Sequence, residues 1–186
     1  MIIGITGTIG SGKGTIAKYL SENFQFKHLS VRDFLVERLE EPTRENMIKL
    51  ANQLREENGP EYIVMQLYEV AQLYPNSIIE SIRNPGEVLP LREKDDFLLL
   101  GIDADIEIRY ERIRNRGGCT DNKTFEEFKR EEERELSSNN PNEQNINKCM
   151  EMADIVIYNN GSIKELFSEL EKNLNSYEFK DYIPLS

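Results

Sequence analysis

Tryptophan is absent from these 186 residues, histidine occurs once (His28), and cysteine occurs only at Cys119 and Cys149. Two cysteines without metal-ligand spacing and a single histidine give no basis for a zinc site. Equally missing are a basic leader and an apolar run long enough for a signal peptide or a membrane span, so the expected compartment is the cytoplasm and no membrane partner is expected. There the two cysteines are expected to remain thiols. No block of Lys and Arg occurs either. With 34 acidic against 23 basic residues, a net charge of −11 repels a polyanion, and nucleic acid is not an expected partner. Any cationic site must be small and assembled from residues distant in sequence, which suits a few phosphates better than a polymer backbone.

What is present is concentrated at the start. Ile2, Ile3 and Ile5 supply a strand, Ile16, Tyr19, Leu20 and Phe24 one face of a helix, and between them lies Gly7-Thr8-Ile9-Gly10-Ser11-Gly12-Lys13-Gly14-Thr15. Glycines here let the backbone lie against a polyphosphate with its amides pointing inward. Those amides, the positive end of the following helix and the Lys13 ammonium together form a fixed positive cluster for the β- and γ-phosphates of a nucleotide. A plain glycine-rich turn carrying a solvated lysine is the competing account, and the flanking strand and helix weigh against it. The usual hydroxyl after the lysine, a magnesium ligand, is replaced by Gly14, so Mg2+ has to be held in another way.

The loop Gly-x-x-Gly-Ser-Gly-Lys-Gly-Thr resembles that of adenylate kinase and other nucleoside monophosphate kinases. The stretch His28-Leu29-Ser30-Val31-Arg32-Asp33 is similar to the segment after the second strand of those enzymes. Ile78-Ile79-Glu80-Ser81-Ile82-Arg83 is similar to their acidic strand end and following arginine. Ala153 to Ser162 looks more like the last strand and adenine-side loop of dephospho-CoA kinases. The resemblance spans roughly residues 1 to 174. It implies ATP and Mg2+ as cofactors and a small phosphorylated nucleotide-like acceptor as partner, and it leaves a homodimer open. Asn160 and Gly161 would then frame the adenine, and Asp33 would orient the acceptor hydroxyl or help hold hydrated magnesium.

Several of these residues also have structural readings. Ser30 and Asp33 have capping-box spacing. Glu80, at the carboxyl end of a strand beside the loop, is the candidate to bind Mg2+ through water, against an ion pair with Arg83 that closes the turn Asn84-Pro85-Gly86. Arg83 is a candidate for the acceptor phosphate. Arg109, Arg112 and Arg116 share one helix face, with local partners available to Arg109 (Asp105) and Arg114 (Glu111). Arg-x-x-x-Arg followed by Gly resembles the hinge into the adenylate kinase lid, where arginines neutralise the transferring phosphoryl group. Arg130 and Arg134 are four apart on a charged helix that the Ser/Asn/Pro stretch 137–145 could hinge over the site. Between strands two and three, Arg44, Asn46, Lys49, Asn52, Gln53 and Arg55 offer polar groups to an acceptor site, although a solvated helix face is the more ordinary account of each.

Alternating strands and helices with no internal repeat predict one α/β domain over 1–186. Its expected fold is three-layered, like the P-loop nucleoside triphosphate hydrolases, with a mostly parallel five-stranded sheet. A helical acceptor-binding insertion is expected at about 34–74, a lid at about 117–147 and a tail at 175–186. The activity expected is ATP-dependent phosphorylation of dephospho-CoA or a (deoxy)nucleoside monophosphate. Lys13, Asp33, Arg83, Arg112, Arg116 and Arg134 would be catalytic, with Glu80 and Asp33 on the metal. A regulatory ATPase or nucleotide-dependent interaction module using the same loop is the alternative.

Overall fold

The computed structural model describes residues 1–116 and 123–176, so Cys119, the first residues of the expected lid and nearly all of the expected tail lie outside the described residues. Five parallel strands, β1 (Ile2–Gly7), β2 (Lys27–Ser30), β3 (Ser77–Ile82), β4 (Phe97–Asp103) and β5 (Ile155–Tyr158), lie in the order β2-β3-β1-β4-β5. The apolar runs seen in the sequence are the three central strands, which are covered on both faces and need no polar alternation. Their side chains still alternate between two cores. Ile3, Ile5, Ile78, Leu98 and Leu100 pack with α1 (Lys13–Phe24) and α9 (Ile163–Ser176), whereas Ile2, Ile79 and Leu99 pack with α2 (Val31–Val36), α3 (Arg44–Asn58), α4 (Tyr62–Ala71), α5 (Pro85–Arg92) and α8 (Ile146–Glu151).

One interruption of this alternation serves the site. The β1–β3 register runs Ile5 opposite Glu80 and then Thr6 opposite Ile82, and the extra residue, Ser81, has φ 73°. The bulge turns Ile82 onto the same face as Ile79 and leaves Glu80 facing α1.

The helical stretch expected between strands two and three is present as α2, α3 and α4, with breaks around Glu41-Pro42 and Gly59-Pro60, where proline and glycine punctuate the pattern. Ser30 Oγ accepts from the Asp33 amide, so Ser30 does cap α2. Full capping boxes occur at Asn84–Glu87 on α5 and at Thr124–Glu127 on α7 (Phe125–Leu136). Helix α6 (Ile106–Arg116) carries the arginine series, and α8 lies at the end of a stretch that sequence reading treats as polar loop. Among the described residues no helix is long and apolar enough to cross a membrane.

Candidate nucleotide and acceptor site

The loop between β1 and α1 lies at the carboxyl edge of the sheet, where parallel α/β folds bind ligands. Ser11 Oγ donates to the Thr8 carbonyl, and Thr8 Oγ1 donates to Asp103 Oδ1 at the end of β4, which ties the loop to the next strand. Lys13 Nζ lies inside the loop and donates to the carbonyls of Gly7 (2.9 Å) and Thr8 (2.7 Å). Burial, followed by the charge of Arg83, pushes the Lys13 ammonium down to about 7, against the opposing pull of Glu80 and Glu135.

Contacts, and not turn chemistry alone, require glycine at positions 7 and 12. A Cβ on Gly7 would stand 1.9 Å from the Ile102 carbonyl oxygen, and one on Gly12, at φ 109°, 2.5 Å from Asn159 Nδ2. That Asn159 amide donates to the Ser11 carbonyl (2.7 Å), so the turn after β5 is fastened directly to the phosphate loop. Gly12→Ala is expected to cost about 1–3 kcal/mol through its left-handed backbone and the displacement of Asn159. Denaturant unfolding, run beside a nucleotide titration, checks both.

Asn159 is the residue the sequence reading missed. Asn160 and Gly161 were expected to frame the adenine with backbone groups of their turn; Gly161 and Asn159 line the cavity, while Asn160 is exposed and its Oδ1 accepts from the Asp105 amide, bracing the α6 entry. The Asn-Asn-Gly turn itself was visible. Which of two adjacent asparagines points inward depends on the β5 register against β4, which the sequence does not display.

Glu80 lies near the end of β3, beside the phosphate loop. An oxygen of Glu80 lies 3.8 Å from the position a Cβ on Gly14 would take, and His28 Nε2 lies 2.9 Å from its other oxygen. Burial favours the neutral acid, but the His28 hydrogen bond and the charges of His28, Lys13 and Arg83 hold its carboxyl below the usual range. The Glu80–Arg83 pair, the structural alternative offered by the sequence, does not form; Glu80 pairs with His28. Among the described residues no three His, Cys, Asp or Glu side chains gather into a metal-ligand group. One carboxylate beside the loop suits a Mg2+ ion held through water and phosphates.

Asp33 departs from expectation. It projects from the solvent side of α2, with its side chain 65% exposed and 3.7 Å from Arg32, and it does not line the cavity. The cap fixes the helix so that Val31, Arg32 and Leu35 face the site instead. Arg134 and Arg130 are likewise on the exposed face of α7. The inner stripe of that helix is Phe125, Phe128, Glu132 and Glu135, so α7 offers carboxylates, not guanidinium groups, to the interior.

Those carboxylates meet arginines from three other elements. Arg109 is buried, donates to the Ala104 and Ile9 carbonyls and pairs with Glu132 through both terminal nitrogens; it holds α6, α7 and the phosphate loop together instead of facing a ligand. Arg44 and Arg83 both pair with Glu135, and Arg83 also reaches Gln144. Arg112 and Arg116 line the cavity. Arg112 Nη2 donates to the Asn159 carbonyl, whereas its buried Nη1 has no hydrogen-bond partner. Arg55 also borders the cavity, but it is buried and its guanidinium is paired with Glu87.

A strand-loop-helix phosphate cradle on a parallel sheet, with its lysine and a neighbouring strand-end carboxylate, defines a P-loop nucleotide-binding protein of the kind found among phosphotransferases and ATPases. A model described as an AAA domain matches residues 3–138. A UPF0200 protein of Methanoculleus marisnigri is 30% identical over 176 residues, covering 91% of this chain and 92% of that one. A UPF0200 protein of Pyrococcus horikoshii is 31% identical over 183 residues, covering 92% and 95%. The chain belongs to the AAA domain family of P-loop proteins and, by these relatives, to the UPF0200 proteins. In fold it is similar to shikimate kinase from Aquifex aeolicus (TM-score 0.60, 18% identity, covering 97% of this chain and 99% of that one). It is equally similar to TT1252 from Thermus thermophilus (TM-score 0.61, 22% identity, 95% and 97%). The fold is therefore kinase-like, and neither likeness singles out dephospho-CoA kinase.

Proposed function

We propose that this chain is an ATP- and Mg2+-dependent phosphotransferase whose acceptor is a small phosphorylated nucleotide-like molecule, either dephospho-CoA or a (deoxy)nucleoside monophosphate. The observation that supports this most is one continuous cavity of about 740 Å3 with two different ends. From the phosphate loop it extends to Asn159, Gly161 and Leu166 on one side and to Arg32, Leu35, Arg44 and Met47 on the other. A hydrolase needs room for a nucleotide and a water. A second compartment lined by arginines and apolar side chains of α2 and α3 fits an acceptor.

Roles follow from position. The loop amides and Lys13 hold the triphosphate, and Glu80 would hold Mg2+ through water, the ion neutralising charge on the phosphates. Arg112 and Arg116 face the transferring group. Arg83 and Arg44 face the acceptor's own phosphate. Transfer through a loose transition state requires alignment and charge neutralisation more than a strong base, so the exposure of Asp33 does not weaken the reading. Helices α2 to α4 act as the acceptor-binding insertion, and α7 acts as the inner face of the lid.

Incubation with γ-labelled ATP, Mg2+ and separate pools of nucleoside monophosphates and dephospho-CoA tests this. Label is expected in one acceptor pool. Release of free phosphate at the same rate whatever pool is added would instead support a regulatory ATPase.

A further inference from the structure

The feature this reading does not absorb is Glu135. Its side chain is 6% exposed, and each of its oxygens is taken by a guanidinium from a different part of the chain. Oε1 accepts from Arg44 Nε (3.1 Å) and Nη2 (2.5 Å), and Oε2 accepts from Arg83 Nη1 (2.9 Å). Arg44 on α3 and Arg83 after β3 both line the acceptor side of the cavity, as do Arg32 and Arg55, and they are the two that share Glu135. The glutamate sits in the last turn of α7, where the helix dipole disfavours a negative charge. Burial also disfavours it. Yet the charges of Arg83 and Arg44 hold its carboxyl below the usual range, so it stands as an anion between them.

We infer that Glu135 is a specificity-determining residue of the acceptor site: an internal carboxylate that occupies the Arg44–Arg83 clamp and must be displaced by the acceptor's own anionic group. The inference rests on the acceptor end assigned above and narrows the chemistry that can enter it. A tethered carboxylate competes at an effective concentration far above that of a free metabolite. A free monocarboxylate offers the two arginines the same charge and the same two oxygens, so it gains nothing over Glu135. A phosphomonoester dianion offers a second charge and a third oxygen to guanidinium groups well shaped for phosphate. The clamp therefore admits phosphomonoesters and turns away carboxylic acids of similar size. Arg55, bound to Glu87, and Arg109, bound to Glu132, are pairs outside the clamp and take no part in this selection.

Glu135→Gln tests the inference, because glutamine keeps the shape and the hydrogen-bond acceptor but removes the competing charge. Each protein is first saturated with Mg2+ and the non-hydrolysable β,γ-imido analogue of ATP, which fills the phosphate loop. Inorganic phosphate or acetate is then titrated at pH 8 and constant ionic strength, and the thermal midpoint is followed. In the wild type, phosphate is expected to raise the midpoint and acetate to leave it unchanged. In E135Q the half-saturating phosphate concentration is expected to fall by about tenfold or more, the size associated with removing one competing charge-assisted contact. A response to acetate is expected to appear. Glu131→Gln on the same helix, where Glu131 reaches only the outer edge of Arg44 and Lys123, serves as control and should follow the wild type.

Should E135Q prove unstable, saturating phosphate is expected to restore its midpoint by filling the clamp. Unchanged phosphate dependence in E135Q, or an unstable E135Q that phosphate does not recover, overturns the inference. If the ATP analogue raises no midpoint at all, the phosphotransferase reading fails on its own. The two proteins are then compared without the analogue, since any phosphate held by the loop is common to both.

Discussion

Lys13→Ala is expected to lower phosphoryl transfer by on the order of 10³-fold and to weaken ATP binding, because it removes the cation that meets the charge developing on the phosphates. Its nitrogen already lies within hydrogen-bond distance of the Gly7 and Thr8 carbonyls, so the loop is built around it. A pH signature distinguishes this role from a merely structural one. With its pKa at about 7, Lys13 is largely neutral at pH 8 in the protein alone. A bound triphosphate favours the charged form and returns it toward the ordinary lysine range near 10.4. Nucleotide binding at pH 8 should therefore take up close to one proton, and affinity should decline as pH rises above 7. Calorimetry in buffers of different ionisation enthalpy measures the uptake, which should vanish in Lys13→Ala. Equal heats in every buffer for the wild type would show that Lys13 does not change protonation on binding.

The second large effect concerns stability. Arg55 and Glu87 form an ion pair whose side chains are 1% and 0% exposed. Both Arg55 Nε and Nη2 donate to Glu87 Oε1, while Oε2 of the same carboxylate accepts from the amides of Arg83 and Asn84. One carboxylate thus joins α3, the end of β3 and the start of α5. Arg55→Leu leaves that carboxylate buried with only its backbone partners, and the expected loss is about 3–5 kcal/mol. In a chain of this length that lowers the thermal midpoint by on the order of 10 °C. Denaturant unfolding checks the free energy. The double replacement Arg55→Leu with Glu87→Gln should recover part of the loss, since no unpaired charge remains.

The parts of the molecule set by short-range rules were legible in the sequence. The strand, glycine loop and helix of residues 2–24 are such a part, as are the apolar strands β3 and β4 and the breaks at Pro42 and Gly59-Pro60. Arg83, Arg112 and Arg116 line the cavity because strand ends and helix spacing constrain where they point. Helix α7 was misjudged for a physical reason. It is charged around most of its circumference, and which charges turn inward is decided by partners elsewhere: Arg44 on α3, Arg83 after β3 and Arg109 on α6. A signal was nonetheless present, since Phe125 and Phe128 begin a stripe that Glu132 and Glu135 continue at helical spacing. Positive φ at Ser81 left no trace, because serine carries no preference for that conformation.

The strand order carries a consequence for synthesis of the chain. β1 is made before β3 and β4, yet it lies between them, paired with residues 77–82 on one side and 97–103 on the other. Until the ribosome has delivered roughly a hundred residues, at least one hydrogen-bonding edge of Ile2–Gly7 lacks its partner, a delay of about 5–20 s at ordinary elongation rates. Through that interval the nascent segment offers an apolar, unprotected edge to other chains. Slow codons or pauses ahead of Asp103 would prolong its exposure, whereas pauses beyond it would leave a sheet whose central strand is already enclosed.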